Sequence, residues 1–115
     1  MRFLCIYKPA KAEGCPPTPE MMETMGKFIQ QSFKGGFLLS TEGCLPSVLG
    51  ARVRSTGGSC TVTDGPFTES KEIVGGFALI QAKSKEDAIE FTRRFLQVAV
   101  DGETEIRQLY EQPAK

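Results

Sequence analysis

The sequence predicts an α+β fold in which two βαβ units flank a β-hairpin, and three observations carry that reading. Apolar runs of strand length alternate with stretches whose apolar residues recur every three or four positions. Each periodic stretch opens on a hydroxyl residue suited to cap a helix. Gly57-Gly58 stands between two short runs that match residue for residue, as the arms of a hairpin do. With 115 residues the chain is long enough for one core, so residues 1–115 are expected to form a single domain.

The elements follow in order. Residues 3–8 set Phe3, Cys5 and Tyr7 against Leu4 and Ile6, apolar on both sides, the pattern of a strand covered from two directions. Lys8-Pro9 through Pro17 reads as a loop. Thr18-Pro19-Glu20 then supplies a cap, a first-turn proline and an acid near the positive end of a helix. That helix carries a stripe of Met21, Met22, Met25, Phe28, Ile29 and Phe33, read as core filling, and stops at Gly35-Gly36. Residues 37–41 make the second strand.

In the hairpin, a two-residue turn at Gly57-Gly58 sets Val53 opposite Val62, Arg52 opposite Thr63 and Arg54 opposite Thr61. Residues 75–82 form the most apolar strand. Ser84 caps a second helix whose buried stripe is Ala88, Ile89, Phe91, Phe95 and Leu96, and Asp101-Gly102 turns the chain into a closing strand over 104–110. With right-handed crossovers, the first strand of each unit lies at the centre of one antiparallel sheet and both helices lie on one face. The central strands are apolar on the other face too. A second copy of the chain is the economical cover, giving a homodimer whose sheets close into a barrel-like core.

Composition excludes several classes of function. Fourteen Lys plus Arg balance fourteen Asp plus Glu, with no basic cluster, so direct nucleic-acid binding is not expected. The longest apolar runs are strand-sized and the N-terminus does not resemble a leader, so no membrane association and a cytoplasmic location are expected. Four cysteines without a C-x-x-C pair, and no histidine, predict neither a metal site nor a cofactor. The cysteines read as reduced thiols, Cys5 in the core and Cys15 in a loop.

The most distinctive stretch is Asp64-Gly65-Pro66-Phe67-Thr68-Glu69-Ser70-Lys71-Glu72, followed by Gly75-Gly76-Phe77. Gly65-Pro66 forces a turn, and Phe67 can anchor the loop to a core. Asp64 shares the parity of Val62, on the apolar side of its strand. An acid there is either a turn-former or, buried with a raised pKa, a general acid or base. Taken with Ala51-x-Val53-Arg54, Val62-Thr63 and Glu105-Ile106-Arg107, the stretch resembles the signature of the YCII-related, DGPF-domain family.

The resemblance covers nearly the whole chain and implies a dimeric α+β barrel of ferredoxin-like halves. It also implies a histidine–aspartate pair proposed for the wider family, small organic acids as substrates of some relatives, and linkage of others to sigma factors. This chain has no histidine, so Asp64 alone matches a motif acid. Asp64 is therefore the candidate catalytic residue, and Tyr7, Glu42, Arg54, Phe67 and Glu69 are the candidate ligand-binding residues. The expected function is binding or transformation of a small molecule near the Asp64-Gly65-Pro66-Phe67 loop. The competing reading is a regulatory or interaction module, without chemistry, linked to transcription through a sigma factor.

Overall fold

A computed structural model describes residues 1–10, 17–67 and 73–111. Its elements are β1 (Arg2–Pro9), α1 (Pro19–Lys34), β2 (Leu38–Gly43), a 3-10 turn (Ser47–Leu49), β3 (Ala51–Thr56), β4 (Ser59–Asp64), β5 (Gly76–Gln81), α2 (Lys85–Ala99) and β6 (Gly102–Gln108). The main sheet runs β2-β5-β1-β6, wholly antiparallel, and β3-β4 form a separate two-stranded ribbon. This is the α+β, ferredoxin-like arrangement expected from the sequence, with the first strand of each βαβ unit at the centre.

Local chemistry accounts for the element ends. The Thr18 hydroxyl accepts a hydrogen bond from the Met21 N–H at 3.1 Å, and the Ser84 hydroxyl accepts one from the Asp87 N–H at 3.2 Å. Past α1, Gly36 turns at φ 79°, a value that glycine adopts freely, and the Phe37 N–H donates back to the Ser32 carbonyl. Phe37 is therefore part of the helix stop, and β2 begins one residue later than the sequence suggested. The hairpin register is as read, with Val53 opposite Val62, Arg52 opposite Thr63 and Arg54 opposite Thr61.

Three expectations need correction. Met22 and Phe33 are exposed, because the buried line of α1 runs through Met21, Met25, Phe28, Ile29 and Ser32 at four- and three-residue steps. Ser32 tolerates burial there by donating to the Phe28 carbonyl at 2.7 Å. The closing strand starts earlier than expected and ends at Gln108, which leaves Tyr110 beyond it and almost fully exposed.

Strand register sorts the sheet into rows. Facing the helices are Leu38–Ile80–Phe3–Gln108, then Thr41–Ala78–Cys5–Ile106, then Gly43–Gly76–Tyr7–Thr104. The core is Phe3, Cys5, Leu38, Ile80, Ala88 and Phe91, with Phe28, Ile29, Ala78 and Ile106 packed against it. The opposite face presents Leu4 beside Leu79 and Ile6 beside Phe77, with Glu105 and Arg107 next to them on β6. Glu105 lies 2.7 Å from Arg107 Nε and 3.3 Å from Lys8 Nζ, and these hydrogen bonds, Arg107's first, hold its carboxyl below the usual range.

Ile80 has no exposed surface and joins β5 to both flanking strands in the first row. Ile80→Ala is expected to cost about 3 kcal/mol and to lower the melting temperature by roughly 10 °C, measured by calorimetry.

Candidate functional site

The third helix-facing row explains why a cavity opens here. Gly43 and Gly76 send no side chain toward the helices, so the layer under the start of α1 and the end of α2 is thin. The resulting cavity is about 860 Å³. Its walls are mainly apolar, with Met21, Met25 and Phe28 from α1, Phe95 from α2, and Cys5 and Ala78 on the sheet. Burial pushes the Cys5 thiol above its ordinary value, outweighing a hydrogen bond with Thr92 that acts the other way, and so keeps it protonated.

One corner of the cavity is polar. The Tyr7 hydroxyl donates to the Asp101 main-chain carbonyl at 2.6 Å, while the Tyr7 ring meets Phe95 edge-on at 5.2 Å. Burial, and then the Asp101 charge, raise the Tyr7 phenol above its usual pKa. Asp101 is presented by a tight reversal: Val100 sits at φ 78°, ψ −70°, and the Asp101 N–H donates to the Ala99 carbonyl at 3.1 Å. This is the three-residue γ-turn that is rare and strained for a β-branched residue. Gly102 follows at φ 142°, where a β-carbon would stand 2.6 Å from the Tyr7 ring. Thr104, beside Tyr7 in the row, has a buried Oγ1 with no hydrogen-bond partner, the one such side-chain atom among the described residues.

The residues singled out from the sequence divide into two groups. Tyr7 and Glu42 line the cavity; Asp64, Arg54 and Phe67 do not. Glu69 lies outside the described residues, as do Cys15 and the rest of the signature from Thr68 to Glu72. Asp64 ends β4 opposite Ala51, on the same side as Val53 and Val62 as its parity implied, but that side of the ribbon is open to solvent. Its carboxylate is exposed and has no hydrogen bond or ion pair among the described residues, so it lacks the enclosed setting of a general acid or base. Arg54 is exposed opposite Thr61.

The signature loop instead holds the base of the hairpin. The Gly65 N–H donates to the Gly50 carbonyl at 3.1 Å, and a β-carbon on Gly65 would overlap the Ser47 carbonyl oxygen. The Phe67 N–H donates to the Ser47 hydroxyl at 2.9 Å, and the Arg52 guanidinium lies 4.2 Å over the half-buried Phe67 ring. Sequence reasoning missed Asp101, Thr104 and Arg52. Asp101-Gly102 was legible as a turn, but nothing local to it points to Tyr7.

The sequence profile of the YCII-related domain matches residues 1–112. This chain belongs to the YCII-related family. An uncharacterised protein of Rhizobium meliloti (strain 1021) is 41% identical over 49 residues, a match that spans 43% of this chain and 40% of the relative. In this YCII-related protein no group of three or more potential metal ligands comes together among the described residues. None of its described helices is long and apolar enough to cross a membrane.

A structural role for the signature makes opposite demands on neighbouring residues. Gly65→Ala is expected to cost about 2 kcal/mol or more, because main-chain atoms on both sides must move. Asp64→Asn and Asp64→Ala should each stay within about 0.5 kcal/mol of the parent. Urea denaturation midpoints of the three variants check this.

Proposed function

We propose that this YCII-related protein binds a small, largely apolar molecule in the cavity between its helices and its sheet, and that it does so as a homodimer. The observation that carries the reading is the cavity itself. It has a volume in the range of small-molecule sites and mainly apolar walls, with polar groups at the Tyr7–Asp101–Thr104 corner and single ones at Thr41, Glu42 and Thr92. Binding is the claim, rather than a reaction: Tyr7 holds its proton, Cys5 is kept as a thiol, and the exposed Asp64 stands apart from the cavity. Cys5, Cys44 and Cys60 are free thiols, which suits a reducing cytoplasm.

The homodimer rests on what one protomer leaves open. Every residue of β4 is exposed, and Val53 and Val62 are each 65% exposed on one side of the ribbon. A lone two-stranded ribbon is marginal in water, and the helix-free face of the sheet carries Leu4, Ile6, Phe77 and Leu79. A two-fold partner covers both surfaces at once, and the pair then forms the barrel expected from the sequence.

A metabolite screen by thermal shift tests the binding claim, since a ligand of the native state must raise the melting temperature. Gly43→Leu supplies the control. A β-carbon at Gly43 has room, with its nearest neighbour at 4.0 Å, and a side chain there projects into the cavity. The variant is expected to fold at least as stably as the parent and to lose the ligand shift. Screening without any stabilising compound, or hits that act equally on Gly43→Leu, would refute the reading. Light scattering at micromolar concentration should return a dimer mass for the parent and a shift toward monomer for Val53→Lys. A monomeric parent would remove the dimer.

A further inference from the structure

The chemistry of the polar corner narrows what the cavity accepts. Among the described residues that line it, the ionisable groups are Glu42, Asp101, Tyr7, Cys5 and Cys44, with no lysine or arginine. An organic acid placed inside would therefore meet carboxylates and no countercharge. The hydrogen-bonding inventory points the same way. An ammonium has three donors and needs acceptors, whereas a carboxylate needs donors. The corner offers acceptors in the Asp101 carboxylate and the free lone pairs of the Tyr7 oxygen, and Thr104 Oγ1, buried without a partner, can accept as well as donate. Its strongest donor, the Tyr7 hydroxyl proton, is already engaged by the Asp101 carbonyl at 2.6 Å.

We propose that the cavity takes a protonated amine carried on an apolar body, with the ammonium seated at the Tyr7–Thr104–Asp101 corner and the body along Met21, Met25 and Phe28. This rests on the cavity-binding reading above and adds the class of ligand. Asp101 supplies the charge and Tyr7 an acceptor oxygen. The Tyr7 and Phe95 rings, which meet edge-on at 5.2 Å, both line the cavity, and an aromatic ring there is the kind of wall that favours a cation. Glu42 lies at the rim, in the row of the opposite sheet face with Phe77 and Ile6. It adds negative potential at the entrance without forming the seat.

Three probes with one body separate the possibilities: phenylbutylamine, phenylbutanol and phenylbutyrate, titrated calorimetrically into the full chain at neutral pH. The amine is expected to bind about tenfold or more tightly than the acid, with the alcohol between them. Asp101→Asn keeps the main-chain carbonyl that Tyr7 uses, and it should remove most of the amine's advantage while leaving the alcohol unchanged. Tyr7→Phe should weaken amine and alcohol alike, and Glu42→Gln should preserve the order of the three. If the acid binds as tightly as the amine, the ligand class is wrong while the cavity reading stands. If Glu42→Gln rather than Asp101→Asn abolishes the preference, the seat is wrong. If none of the three binds, or all bind Gly43→Leu as well as the parent, the cavity reading fails and takes this inference with it.

Discussion

The pairing of β1 on both of its edges is the constraint from which the rest of the protein follows. Its register with β5 and β6 places Phe3 and Cys5 beneath the helices and sends Leu4 and Ile6 to the other side, so one strand serves two apolar surfaces. From Phe3 to Tyr7 the strand is paired on both edges, and a slip by one position would exchange the two faces wholesale. Phe3, only 1% exposed, packs with Ile80 and Phe91 and ties that register to the helix layer. Tyr7 is the next inward position after Cys5, and it reaches Asp101 only because the strand is held in this register.

Close packing and open space alternate along the same strand. In the first two rows every helix-facing position but Gln108 and Thr41 is apolar or sulfur-bearing, and the helices close down on them. In the third row two glycines and a threonine surround Tyr7, and the space they leave is not recovered by the methionines above it. A close-packed interior tolerates few gaps of this size, because the lining atoms lose contacts they would otherwise make. The fold carries that loss at one end, while Ile80, Ala88 and Phe91 make the opposite end dense.

The elements were legible in the sequence because their signals are local. Thr18 and Ser84 cap helices within three residues of themselves, and the two valines of the hairpin match across a two-residue turn. The site was only partly legible, since its key contact joins residues 94 positions apart. Tyr7 and Glu42 came into view through the strands that carry them. Asp64 drew attention as a conspicuous acid beside a glycine–proline corner, yet the environment that decides its role is the 3-10 turn at Ser47, whose approach to Gly65 no local pattern announces. The irregular register between Leu38 and Ser40 adds to the difficulty: it decides that Gly43, rather than Glu42, falls beside Gly76 in the inward row.

The reversal at Val100 has a consequence for how a guest would be received. A β-branched residue at positive φ is strained, and the end of α2 and the first pairing of β6 hold Val100 there from either side. The Asp101 main chain and the Tyr7 oxygen bonded to it are therefore set by the fold itself. Any selectivity of such a corner would come from an unwillingness to adapt: a head group of the wrong shape would find a main chain that does not rearrange around it.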